Sequence, residues 1–242
     1  MERLDKIITS QGTMTRSEAG RAIRSGRVTV DGSVCRDASK KYDPAAHTIA
    51  VDGRPLGYAR FVYWMLNKPD GILCVSRDPK QPTVVDLLPP DSRRKGLFPA
   101  GRLDKDTHGL VLITDDGDFA HQMLSPRHHI PKTYLARLDK PLTEEGAQGF
   151  RDGPTLADGT VCQPAHLTVV ETGDNPLVEV VIYEGKYHQI KRMFAAVGCQ
   201  VIWLKRTKMG GLSLDETLEE GQCRPLTPEE KECILPRNSQ KN

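Results

Sequence analysis

From residue 61 onward the chain reads as short apolar runs separated by turn signals, at 61–66, 108–114, 132–138, 161–171, 176–183 and 200–205. Only three helical patterns interrupt them: 117–124, 143–151 behind a threonine cap, and 187–197 closed by Gly198. A doubly wound parallel sheet needs a crossover helix between successive strands, and the long helix-free intervals here do not supply one. The spacing therefore predicts an α+β domain over 61–235 built on a mostly antiparallel mixed sheet, with residues 236–242 fraying as a C-terminal tail.

The first sixty residues follow another pattern. Thr15-Arg16-Ser17-Glu18 is a capping box, which predicts a helix over 16–25 that ends at Gly26. Val28 to Val34 alternates around Asp31-Gly32, a hairpin signal, and 48–53 repeats it around Asp52-Gly53. Arg16, Arg21, Arg24 and Arg27 crowd this short stretch, with Arg3 upstream. A basic helix beside a small sheet is a module that can lay arginines on phosphates, and residues 1–58 are expected to form it ahead of a short linker. At ~150 residues per domain, 242 residues accommodate two such units.

Net charge is only +2, but its distribution is uneven. Residues 1–60 carry 11 basic against 7 acidic side chains, and 185–211 carry six basic and no acidic ones. Two basic islands on a near-neutral chain point to a polyanion partner. No apolar run approaches the ~20 residues that cross a bilayer, and the N-terminal residues lack a signal-peptide pattern, so no membrane is expected and the cytoplasm is the expected address. Six scattered cysteines without CxxC spacing read as free thiols.

Two segments concentrate chemistry. The first is a glycine-bounded polar loop, Gly101-Arg102-Leu103-Asp104-Lys105-Asp106-Thr107-His108-Gly109, which feeds the apolar run 110–113. On its residues alone the loop admits an Asx turn, a general acid and base pair as in glycoside hydrolysis, or, with too few oxygen ligands, a metal pair. The second is Glu184-Gly-Lys-Tyr-His-Gln-Ile-Lys-Arg-Met-Phe194. At helical spacing His188, Lys191 and Arg192 share one face, while Ile190, Phe194 and Val197 take the buried one. With Lys205, Arg206 and Lys208 soon after, that face fits phosphate contact. His128-His129 lacks the companions of a zinc site.

These segments carry a specific resemblance. The run from Gly101 to Gly117, GRLDxDTxGLxLxTxDG, resembles the signature of the RsuA branch of the pseudouridine synthases. Lys132-Thr-Tyr134 and the 184–193 segment resemble that branch's later motifs, in the right order, and residues 3–53 are similar to the alpha-L RNA-binding module that precedes the catalytic domain there. The resemblance spans nearly the whole chain.

It implies that one uridine in ribosomal RNA is isomerised to pseudouridine without cofactor or metal, with small-subunit (16S) RNA favoured over large-subunit RNA, by a monomer. It maps the catalytic aspartate onto Asp104, the tyrosine onto Tyr134, and the basic residue after His-Gln-Ile onto Lys191, where many members outside this branch carry arginine. Arg102, His188, Gln189, Arg192, Lys205 and Arg206 are expected RNA contacts beside the arginines of the first island. The residues suit these roles: a free aspartate is an anion at neutral pH, a lysine beside it would keep it so, and a tyrosine offers a stacking face and a hydroxyl. A stacked uridine cannot reach Asp104, so it must be flipped out. A binding protein that has kept the fold, and a sugar-polymer hydrolase using Asp104 and Asp106, are the competing readings.

Overall fold

A computed structural model of the chain describes residues 1–235, and the expected frayed tail at 236–242 lies outside the described residues. The chain divides into two units, one of residues 1–62 with 88–97, the other of 63–87 with the rest. Residues 88–97, inside the larger domain in the sequence reading, cluster with the smaller unit.

In the smaller unit, strand β1 (Glu2–Arg3) leads into helices α1 (Leu4–Ser10) and α2 (Arg16–Arg24). Both halves of the α2 capping box are formed: the Thr15 hydroxyl accepts from the Glu18 amide, and the Thr15 amide donates to the Glu18 carboxylate at 2.7 Å. Ala19, Ala22 and Ile23 are buried against Leu4, Ile7 and Ile8 of α1, leaving Arg16, Arg21 and Arg24 exposed on the other side. Strands β2 (Val28–Val30), β3 (Ser33–Val34), β4 (Lys41–Tyr42), β5 (Ile49–Val51) and β6 (Arg54–Pro55) follow. The antiparallel order is β3-β2-β5-β6, with β1 paired to β4. Asp31-Gly32 and Asp52-Gly53 turn the two hairpins with positive φ at both residues, the geometry that matches strand twist.

The larger unit carries β7 (Tyr63–Lys68), β8 (Phe98–Ala100), β9 (His108–Thr114), α3 (Gly117–Leu124), β10 (Lys132–Leu138), α4 (Glu144–Asp152), β11 (His166–Glu171), β12 (Leu177–Ile182), α5 (Gln189–Ala196), β13 (Val201–Met209), β14 (Leu212–Ser213), β15 (Cys223–Pro225) and α6 (Pro228–Ile234). The sheet order is β11-β12-β10-β13-β9-β7-β15, with β8 beside β9 and β14 beside β13. Every named pair is antiparallel except β9 with β13. The sheet is thus mixed and mostly antiparallel, as expected. Leu110 and Leu112 of β9 pack with Phe119 and Met123 of α3 and Ile234 of α6, and Val111 and Ile113 on the strand's other face are buried too. Phe150 of α4 and Phe194 of α5 stack at 4.4 Å between ring centroids. All six cysteines are free thiols, and no helix among the described residues is long and apolar enough to cross a membrane.

Candidate active site

The loop 101–107 enters β9 where β9 meets β13, and two buried cations hold it there. Lys68, fully buried at the end of β7, donates to the carbonyls of Pro69 (2.9 Å), Lys105 (2.8 Å) and Thr107 (3.0 Å), so all three ammonium protons are used. Burial pushes its pKa below the usual lysine range. Arg206 of β13, 1% exposed, donates Nε–H to the Leu110 carbonyl (2.8 Å) and Nη2–H to the Gly101 carbonyl (2.7 Å). Gly109 lies directly opposite Arg206 in the parallel pair, where a Cβ would stand 2.2 Å from the Arg206 carbonyl oxygen. Its φ of +98° is a second reason for glycine there.

The loop presents Asp104 and Asp106 to the start of α5. His188 Nε2 lies 3.5 Å from Asp104 Oδ1, and Lys191 Nζ lies 3.8 Å from Asp104 Oδ2 and 2.5 Å from Asp106 Oδ1. Lys191 therefore bonds Asp106 more closely than Asp104, the partner expected for it. The hydrogen bond from Lys191 is the largest of the effects holding the Asp106 carboxyl below the usual carboxylate range. His188 also departs from the helical face drawn for it: α5 starts one residue later, and His188 caps it in the left-handed region at φ +46°. That backbone, costly for a non-glycine residue, turns the imidazole to Asp104 and stacks it on the exposed Tyr187 ring at 3.8 Å.

Asp104 lines a cavity of about 520 Å³, a size suited to a nucleoside, with Tyr134, Lys132, Glu184 and Arg206 among its other walls. Tyr134 is 7% exposed, with the Arg206 guanidinium 6.0 Å from its ring centre. Burial, aided by Arg206, lowers the pKa of Lys132, whose ammonium donates to the Ile130 carbonyl at 3.1 Å. Glu184 accepts from the Gln189 side chain (2.7 Å) and the Gln163 amide (2.9 Å). No group of three or more His, Cys, Asp or Glu among the described residues could hold a metal ion.

Two expected RNA contacts turn inward. Arg206 is committed to main-chain carbonyls, and Gln189, 3% exposed, clasps its own loop through Glu184 and the Lys186 amide. Arg192 is bound to Asp158 at 2.5 Å, and its guanidinium is among the groups that hold that carboxyl at about 2, behind the Thr160 hydroxyl and amide. Arg102 is exposed at the cavity, and Lys205 is half-buried on β13. In the smaller unit Arg3 and Arg16 flank Asp5, Arg27 pairs with Asp52, and Arg21 and Arg24 are exposed. Sequence reasoning passed over Lys68 and gave no role to Lys132 or Glu184, which stood only as members of their motifs, because composition does not show that such a side chain faces inward.

Residues 62–196 match the family model for RNA pseudouridylate synthase. The chain belongs to that family. Residues 2–46 match the S4 domain. This synthase is 47% identical over 230 residues to the ribosomal small subunit pseudouridine synthase A of Escherichia coli K12, covering 94% of this chain and 97% of the relative. It is 43% identical, over 94% and 96% of the two chains, to the uncharacterized RNA pseudouridine synthase YtzG of Bacillus subtilis. A crystal structure of a pseudouridylate synthase superposes with a TM-score of 0.66 at 40% identity, covering 97% of this synthase and all of the other chain.

Proposed function

We propose that this pseudouridine synthase isomerises one uridine of small-subunit ribosomal RNA, with Asp104 as the catalytic carboxylate, Tyr134 as the surface that holds the uracil, and Lys191 as the cation that orients Asp104 and meets the target phosphate. The observation that carries the reading is Asp104 on the wall of a nucleoside-sized cavity, between the His188 imidazole and the Lys191 ammonium. The target uridine is flipped into that cavity, because the carboxylate cannot reach a stacked base. The N1–C1′ bond breaks, the uracil turns while held, and C5 bonds to C1′. The proton leaves C5 and N1 gains one, so product and substrate are isomers and the balance needs no oxidant, reductant or cofactor. Attack at C1′, attack at C6 and elimination all make the same demand on Asp104, an ionised oxygen facing the nucleotide.

The division of labour follows the charge. The module of residues 1–58, with Arg3, Arg16, Arg21, Arg24 and Arg27, positions the RNA, and residues 61–235 do the chemistry, helped at the cavity by Arg102 and His188 and, on β13, by Lys205. The small subunit is favoured by the name of the Escherichia coli relative, which matches along nearly its full length. The protein acts as a cytoplasmic monomer in this reading, and sedimentation at micromolar concentration checks the monomer. The main test is incubation with unmodified small-subunit and large-subunit ribosomal RNA, free and in assembling particles, with pseudouridine mapped by chemical labelling and primer-extension stops. One new stop in small-subunit RNA is expected. A stop confined to large-subunit RNA would overturn the substrate, and none on any substrate would overturn the activity.

A further inference from the structure

A second cavity, about 660 Å³ and open to solvent, borders the first. Tyr183 lines both. Two further links join them: Ile130 of the first cavity follows His129 of the second, and Glu184 of the first accepts the amide proton of Gln163 from the second at 2.9 Å. The mechanism above uses none of the second cavity's side chains.

Its lining has a definite chemistry. Arg151 supplies a guanidinium, His129, His166 and Gln163 supply further hydrogen-bonding groups, and no carboxylate lines it. The Arg151 guanidinium, at the end of α4, makes no hydrogen bond or ion pair among the described residues. His129 sits in the left-handed region at φ +46°, like His188 in the first cavity. The His166 and Tyr183 rings meet edge to face, 6.0 Å apart at 73°, and His166 is exposed, so its ring offers a flat partner for a base. A site with aromatic faces, an unpaired guanidinium and no acidic residue fits a nucleotide: the phosphate on Arg151 and His129, the base against His166 and Tyr183.

We propose that this second cavity is the subsite for a nucleotide adjacent to the target uridine, and that it anchors the strand while the uridine occupies the first cavity. The proposal rests on the RNA reading of the active site. Tyr183 is the shared wall across which the strand passes from one nucleotide to the next, and Arg151 supplies the charge that offsets part of the cost of unstacking.

The test uses the full-length protein and a small-subunit RNA fragment containing the mapped uridine. Companion fragments carry an abasic nucleotide on its 5′ or its 3′ side. Affinity and single-turnover rate are measured for wild type, Arg151→Ala and His166→Ala, with unfolding midpoints as a check on folding. Arg151→Ala should weaken binding about tenfold and reduce the salt slope by about one. One of the two abasic fragments should bind wild type about tenfold more weakly, and His166→Ala should bind that fragment and the intact one equally. Binding of both variants within twofold of wild type, or an abasic penalty that persists in His166→Ala, would overturn the subsite. Affinity is read apart from product, so absence of pseudouridine with Arg151-dependent binding intact would count against the proposed reaction alone.

Discussion

Lys191 stands between two carboxylates, and the closer one belongs to Asp106. Replacing Asp106 by asparagine removes the anion that fixes the Lys191 ammonium in its place beside Asp104. Turnover by Asp106→Asn should fall by about tenfold, the scale of a misplaced but surviving catalytic group, with RNA affinity unchanged. Because the folded carboxyl titrates below its usual range, the stability it contributes is present above about pH 4 and is lost as pH falls through its lowered pKa. The difference in urea midpoint between wild type and Asp106→Asn should therefore narrow as pH drops below about 4. Gly109→Ala makes a sharper demand, placing a methyl group 2.2 Å from the Arg206 carbonyl at a positive φ. It should cost more than about 3 kcal/mol in urea denaturation, among the largest single-residue effects. At this scale the sequence showed which residues gather but not how they face. Asp104 and Lys191 meet at one site, whereas Arg206 and Gln189 belong to the interior, because the pairing of β13 and the clasp on Glu184 are set by partners about 100 and five residues away.

Among the elements, β9, β10 and α3 fall where the apolar pattern puts them, since the two strands bury most of their length and α3 starts behind the Asp116 cap with Phe119, Ala120 and Met123 buried. Two helices were not legible. Helix α1 carries an apolar i, i+3, i+4 set at Leu4, Ile7 and Ile8, but it is only seven residues long and has no side-chain cap at its start; α6 buries only Ile234, and its readable signal was the Thr227-x-x-Glu230 capping box. Besides the burial of Ile234, an electrostatic tie secures α6: Arg224 of β15 donates to Asp215 at 2.6 Å and to Glu230 of the helix at 2.7 Å. The Thr217 hydroxyl first, then Arg224, lowers the Asp215 carboxyl to about 2. The stability this carboxylate adds is thus complete above about pH 4 and lost as pH falls through about 2. Asp215→Asn should unfold at lower urea than wild type at pH 7, and the two should converge as pH approaches 2, as denaturation series across that range will read.

For the whole molecule, the proposed division of labour puts RNA positioning on the basic face of the smaller unit and chemistry on the larger. Its two-part organisation was visible in the change of pattern near residue 60, but the clustering of 88–97 with the first unit was not, since nothing in that stretch's composition names its partner. That clustering makes charge reversal a cleaner probe than truncation. Arg21→Glu with Arg24→Glu, both exposed on α2, should weaken RNA binding and lower the salt slope by about two, leaving the turnover rate at saturating protein unchanged. The central claim is that Asp104 performs the isomerisation, and release of tritium from C5 of labelled uridine in small-subunit RNA tests it most directly. Wild type should release one tritium per RNA, and Asp104→Asn, with its RNA affinity retained, should release it at least about a thousandfold more slowly, the scale expected for loss of a covalent catalytic group. Release by Asp104→Asn within tenfold of wild type would contradict the account.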